Sequence, residues 1–261
     1  MQIEYIILLL IGTVAGVLSG LFGIGGGIVI VPSLIYFLGF SLTKANGTSL
    51  AALLMPVGIF AVLTYWKAGY LRVKTSALIA LGIVIGVIFG SKIALSLPAS
   101  TLKQLYGLFL LYVSIQFTGI YEIIRVKLLK FPPSKSHPEN ENYNIFAMIA
   151  LGIFAGVFSG LFGIGGGLII VPALIGIFHY PTKLATAASL GALLLPVGLP
   201  GVIVYYNAGQ LDILSAAIVA LGIVLGSIVG AKIAINLSSK VVKQYFGAFL
   251  MLVAIDFIFF T

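Results

Sequence analysis

The sequence predicts an all-α protein that crosses a membrane many times and is built from two copies of one half. Three observations predict this. Hydrophobic residues make up 61% of the chain and charged residues only 8%, against about 25% charged in a soluble domain. No charged residue occurs from Tyr5 to Thr43 or from Ala45 to Trp66, and a membrane helix needs about 20 mainly apolar residues. The same pattern then recurs at an offset of 140 residues.

A soluble fold of this length cannot hide so much apolar surface. A membrane barrel needs alternating polar and apolar residues, and the run Leu81 to Phe89 does not alternate. Helices remain, because each satisfies its own backbone in lipid. The chain has no cysteine, which excludes disulfides, thiolate metal sites and cysteine nucleophiles. The first apolar segment follows Glu4 with no basic residue before it. It reads as a retained helix and not as a removed signal peptide. The net charge is +8. Basic residues flank the apolar segments, so the charge reads as membrane orientation, and nucleic acid is not an expected partner.

The duplication is explicit. Gly12 to Gly27 reads GTVAGVLSGLFGIGGG and Gly152 to Gly167 reads GIFAGVFSGLFGIGGG. Pro32 matches Pro172, Ser49 matches Ser189, Pro56-Val57-Gly58 matches Pro196-Val197-Gly198, and Tyr65 matches Tyr205. Lys92 matches Lys232 at the same offset. The expected organisation is a first repeat over 1–124, a polar linker over 125–144 and a second repeat over 145–261. The linker carries three prolines and His137, and is expected to lie outside the membrane, on the cytoplasmic side.

Each repeat holds four apolar regions, in the first half about 5–38, 45–66, 75–97 and 102–121. The first is too long for one span: at 1.5 Å per residue, 34 residues reach about 51 Å against a hydrocarbon core of about 30 Å. The break is expected at Gly23-Ile24-Gly25-Gly26-Gly27, since each glycine costs a helix about 1 kcal/mol. Pro32 then falls in the first turns of the next piece, where proline is tolerated best. The predicted total is 8–10 membrane segments. Leaving aside Lys92 and Lys232, which lie inside apolar segments, an even number of crossings per repeat puts seven basic residues on one side and five on the other. An odd number leaves only Lys44 and Lys103 opposite ten others. The positive-inside rule thus favours inverted repeats.

The candidate site residues follow from the breaks. Gly23, Gly25, Gly26 and Gly27 in the first repeat match Gly163, Gly165, Gly166 and Gly167 in the second. Unwound backbone at membrane depth is tolerated only where it is buried or lines a wet cavity. Amides freed at the start of the following half-helix form an anion site with the positive end of its dipole. Paired discontinuous helices point to a substrate site. Runs of glycine differ from the packing stripes Gly12, Gly16, Gly20 and Gly82, Gly86, Gly90, whose spacing of four suits helix contact. Asn46, Thr48 and Ser49, with Thr186 and Ser189, open the second helix of each repeat and are expected either to face the cavity or to bond neighbouring helices. Pro56 and Pro196 kink those helices. Lys92, Lys232 and Asp256 are candidate charge partners inside apolar segments, with snorkelling of the lysines as the alternative.

The stretches GVLSGLFGIGGGIVIVPSL and GVFSGLFGIGGGLIIVPAL resemble the repeated signature of the sulfite exporter TauE/SafE family of membrane permeases. The resemblance covers nearly the whole chain. It implies about eight spans and secondary transport of small sulfur-containing anions such as sulfite, thiosulfate or organosulfonates, and it supplies no residue list of its own. Together these readings predict a non-enzymatic, multi-pass cell-membrane transporter without cofactor or metal. Its partners are a small anion and the bilayer, with protons as the coupling ion and alternating access around a midplane site. No G-x-x-x-x-G-K-[ST] loop is present. The rival readings are a passive anion channel, a membrane scaffold and an intramembrane enzyme. Hydrolytic chemistry would need a Ser–His pair, paired aspartates or a metal cluster. His137, His179, Asp212 and Asp256 do not form one by repeat or spacing.

Overall fold

The structure, a computed structural model of the chain, describes residues 2–22, 25–55, 59–118, 144–236 and 239–259. Among these the protein is all helix, with no strand. The first repeat contributes α1 (Gln2–Phe22), α2 (Gly27–Leu38), α3 (Leu42–Ala52), α4 (Ile59–Lys67), α5 (Val73–Ser96) and α6 (Ala99–Thr118). The second contributes α7 (Ile145–Phe162), α8 (Gly167–Gly176), α9 (Thr182–Leu194), α10 (Leu199–Asn207), α11 (Ile213–Asn236) and α12 (Ser239–Phe259). Most of the linker lies outside the described residues. Its last residue, Asn144, caps α7 by accepting the Phe146 amide at 3.0 Å.

The helix lengths follow from the glycines and prolines. Helix α1 ends at Phe22 and α2 begins at Gly27; α7 ends at Phe162 and α8 begins at Gly167. Pro32 and Pro172 lie inside α2 and α8. Pro196 lies in the gap between α9 and α10, which meet at a bend of 46°. Pro56 lies outside the described residues. Val73–Ser96 and Ile145–Phe162 are each long and apolar enough to cross a membrane, and the bent pair α9–α10 passes the same test as one span. The apolar stretches Ile3–Ser19, Gly27–Leu38, Gly167–Gly176, Ile213–Ser227 and Gln244–Phe259 are shorter.

The chain forms two compact units, and neither coincides with a sequence repeat. The larger takes Met1–Ser96 with Ser136–Ile233. Within it, the first helix of each repeat packs on the long fifth helix of the other. The glycine stripes make this contact. A Cβ on Gly16 of α1 would lie 2.8 Å from Ile223 Cα in α11. One on Gly156 of α7 would lie 2.8 Å from Ile83 Cα in α5. Backbone therefore meets backbone, which only glycine permits. Contacts advance together along both chains: Gly152, Gly156 and Gly160 meet Ile79, Ile83 and Val87. Helices α5 and α7 run parallel, and by the matching contacts of Gly12 with Val219 and Gly16 with Ile223, so do α1 and α11.

The smaller unit takes Leu97–Lys135 with Ala234–Thr261. Its described helices, α6 and α12, are repeat equivalents. Tyr106 packs on Phe257 at 5.7 Å between ring centroids and Phe117 on Phe246 at 5.6 Å. The numbers rise along one helix and fall along the other, so this pair is antiparallel.

Candidate functional site

Positive φ angles make the turns at the two breaks. Gly25 and Gly26 have φ of 86° and 78°, and Gly165 and Gly166 have 79° and 83°. Glycine reaches this region without steric cost, whereas a Cβ is penalised there. The first backbone hydrogen bonds of α2 run from Val29 and Ile30 N–H to Gly26 O at 3.0 and 3.3 Å. Those of α8 run from Ile169 and Ile170 N–H to Gly166 O at 3.0 and 3.2 Å. The amides of residues 25–28 and 165–168 therefore find no backbone acceptor among the described residues. They are the orphan donors of a helix start, at the positive end of the dipole.

The breaks lie against each other. A Cβ on Gly27 would sit 2.7 Å from Ile164 Cα, and one on Gly25 would sit 3.6 Å from Ile164 O. Beside this contact is a cavity of about 70 Å³, room for several waters or one small oxyanion. Its wall is built in repeat-matched pairs: Ser19 with Ser159, Gly25 with Gly165, Leu50 with Leu190, and Leu53-Leu54 with Leu193-Leu194. Pro196, Val197 and Gly198 add the bend between α9 and α10. Among the described residues no charged side chain lines it. A charged guest would meet neutral dipoles in an apolar wall, where each hydrogen bond is stronger than in water.

The other sequence-predicted residues fall into distinct places. Gly26, Gly27, Gly166 and Gly167 are buried at the starts of α2 and α8, behind the wall. Gly163 ends α7, with its N–H on Ser159 O at 2.8 Å. Gly23 lies outside the described residues. Asn46 and Ser49 are buried and donate to Leu161 O at 2.6 Å and Gly163 O at 2.7 Å. Thr48 Oγ1 accepts the Asp212 amide at 3.2 Å. Thr186 is half-buried and Ser189 fully buried on α9. None of these five lines the cavity. Lys92 is exposed on α5, Asp256 is half-buried on α12, and the Lys232 side chain lies outside the described residues.

A polar cluster ties the start of α3 to the turn before α11. Lys44 Nζ lies 3.2 Å from Asp212 Oδ2, and Thr43 Oγ1 donates to Gln210 Oε1 at 2.7 Å. Asp212 also caps α11 by accepting the Ser215 amide at 3.0 Å. Burial raises the Asp212 pKa, but the Ser215 hydrogen bonds and the Lys44 ammonium outweigh it and hold the carboxyl below its usual value.

The sequence model of one protein family, Sulfite exporter TauE/SafE, matches residues 5–257. The chain belongs to the sulfite exporter TauE/SafE family. Its relatives carry the same general description. The probable membrane transporter protein YunE of Bacillus subtilis is 27% identical over 98% of both chains. A probable membrane transporter protein of Methanocaldococcus jannaschii is 29% identical, over 92% of this chain and 91% of its own. One from Xylella fastidiosa strain Temecula1 is 28% identical, over 94% and 91%. No solved structure matches the chain. As a TauE/SafE member the protein is a multi-pass membrane transporter, a class that needs a path for its substrate.

Some wall residues of this TauE/SafE protein were not singled out from the sequence. Ser19 and Ser159 sit inside the duplicated signature at matched positions, so the repeat itself held that signal. The leucines carried none, being a few apolar residues among many. Tyr205 was visible only as a match to Tyr65, and the structure gives it a fully buried place and a hydrogen bond from its hydroxyl to Gly160 O at 2.7 Å.

Proposed function

We propose that the protein is a secondary transporter that carries a small sulfur-containing oxyanion, of the sulfite, thiosulfate or organosulfonate kind, through the cavity between the glycine breaks. One observation carries the reading. Two half-helix starts, whose first amides find no backbone acceptor among the described residues, each line one small cavity through a positive-φ glycine. Such amides and their dipoles favour a negative guest. Helices α2 and α8, with 12 and 10 residues, reach only about 18 and 15 Å. That is roughly half of a hydrocarbon core of about 30 Å, which suits a site near the midplane. An ion gradient, protons in our reading, drives accumulation.

Counterflow in proteoliposomes tests the substrate class. Trapped sulfoacetate is expected to drive uptake of labelled sulfite or thiosulfate, with saturation and transient accumulation. Taurine, a zwitterion, is expected to compete poorly. Taurine outcompeting sulfoacetate would overturn the anion reading, and flux without saturation or accumulation would favour a passive channel.

The repeats are inverted in this proposal, and access alternates as they exchange conformations. The antiparallel run of the equivalent helices α6 and α12 supports it, because an axis in the membrane plane reverses every element it relates. The charge distribution supports it independently. Single cysteines at positions 70 and 240 should label from the same, cytoplasmic face. Labelling from opposite faces would contradict the inverted arrangement.

A further inference from the structure

A hydroxyl inside an apolar helix commonly donates to the carbonyl three or four residues back. Ser91 does so to Val87 O at 2.8 Å, Ser227 to Val224 O at 2.9 Å and Thr13 to Leu9 O at 2.8 Å. Ser19 on α1 and Ser159 on α7 do not, and among the described residues neither hydroxyl has a hydrogen-bond partner. They occupy the same position of the duplicated signature, and both line the cavity. Ser159 is only 1% exposed, so the cavity is the one space its hydroxyl can address. A buried hydroxyl without a partner costs free energy, and a guest in the cavity would supply that partner.

The wall around this pair is neutral. Its residues all fall within 5–43, 45–66, 145–182 and 184–211, which hold no Asp, Glu, Lys or Arg. The titratable groups of the wall helices stand away from it. Glu4 and Tyr5 lie at the start of α1, at the other end from Ser19. Lys44 precedes Leu50 on α3 by six residues and is paired with Asp212. Lys183 precedes Leu190 on α9 by seven residues, its ammonium 5.3 Å from the centre of the Tyr70 ring. At 1.5 Å per residue these separations are about 9 Å or more along each helix. The Tyr205 hydroxyl is committed to Gly160 O.

Charge state decides what such a wall accepts. Taking an ion out of water costs free energy that rises with the square of its charge. Attraction to fixed dipoles rises only in proportion to the charge, and the wall holds no cation. A second charge on the guest therefore raises the cost faster than the gain. A serine hydroxyl both donates and accepts, so it also suits an oxyanion that keeps an O–H of its own.

We propose that the cavity selects an oxyanion group bearing a single negative charge, with Ser19 and Ser159 as its side-chain contacts, one from each repeat. This rests on the proposed transport through the cavity and narrows its substrate class. Bisulfite and the sulfonate group of an organosulfonate fit, and the dianions sulfite and sulfate do not. Where the pool is sulfite, the dianion takes one proton from water before entry and returns it after release. The coupled proton then crosses as part of bisulfite, and no protein carboxylate titrates at the site.

Equilibrium titration of the full-length protein with methanesulfonate, sulfate and sulfite, over a pH range spanning neutrality, tests this. Methanesulfonate keeps one charge and sulfate two throughout, whereas sulfite exchanges its second proton near neutrality. Methanesulfonate is expected to bind equally at every pH, and sulfate about tenfold or more weaker. Affinity for total sulfite is expected to fall about tenfold per pH unit on the alkaline side, in step with the bisulfite fraction. Ser19→Ala and Ser159→Ala are each expected to weaken methanesulfonate and bisulfite about tenfold. Their melting temperatures should be native or higher, since no internal hydrogen bond is lost. Ser91→Ala, which does lose one, should keep native affinity. Sulfate bound as tightly as methanesulfonate, or total sulfite bound equally at every pH, would overturn the charge selection. Native affinity in both Ser19→Ala and Ser159→Ala would overturn their role as contacts. If the native protein binds none of the three anions, the transport reading itself falls, and the charge selection with it.

Discussion

Gly25→Ala and Gly165→Ala are each expected to lower anion affinity tenfold or more while leaving a folded protein. Both residues line the cavity and have φ near +80°. An alanine there has two options. It can keep the left-handed conformation at a cost of about 1–2 kcal/mol, placing a methyl group beside the site. It can also relax to negative φ, which rotates the neighbouring peptide planes and withdraws their amides. Either outcome removes donors from the anion. At Gly25 the added Cβ meets only Ile164 O at 3.6 Å, and at Gly165 only Leu53 Cδ1 at 3.2 Å, so crowding alone does not prevent folding. Gly39 separates the two effects. Its φ is 65° and a Cβ there would meet nothing within 4 Å, and it is absent from the cavity wall. Gly39→Ala should lose similar stability with native affinity. Equal affinity in all three variants would return the breaks to a packing role.

Gly86→Ala and Gly226→Ala are expected to cause the largest losses of stability. A Cβ on Gly86 would lie 2.9 Å from Ile153 C and Val157 N, and one on Gly226 would lie 2.9 Å from Thr13 C and Val17 N. All four neighbours are backbone atoms, which cannot turn aside as a side chain can. The parallel pairs α5–α7 and α1–α11 must each move apart. Overpacking of this kind costs about 1–3 kcal/mol, and lost close contacts along the seam add to it. Gly176→Ala is the matching control: a helical glycine with nothing within 4 Å, where alanine should be neutral or stabilising by up to about 1 kcal/mol. Thermal unfolding in detergent reads both. A Gly86→Ala protein as stable as the native one would contradict the close backbone contact between repeats.

The all-helical class was legible because an apolar, charge-poor chain can satisfy its backbone in lipid only within helices. The break expected at Gly23 to Gly27 lies where α1 ends at Phe22 and α2 begins at Gly27, with Gly23 and Ile24 outside the described residues. The duplication was legible because it survives as identity at a fixed offset. Which helix packs on which was not legible, since the stripes Gly12-Gly16 and Gly82-Gly86 show a close contact without naming its partner. The structure pairs each with the opposite repeat. Asn46 and Ser49 illustrate the same limit. Their polarity within an apolar chain marked them, but the sequence does not show which carbonyls lack donors. The structure places them on Leu161 O and Gly163 O, behind the cavity and not in its wall. Leu50 and Leu53, which do form the wall, are indistinguishable in sequence from residues facing lipid.

Because Gly25 and Gly165 line one cavity, transport through it requires one shared site and not two separate ones. Equilibrium titration of the purified protein with sulfoacetate tests this most directly, with the native chain, Gly25→Ala and Gly165→Ala measured side by side. The predicted result is one anion bound per chain, with that single site weakened tenfold or more by either substitution. Two anions per chain, each lost with only one of the substitutions, would contradict it.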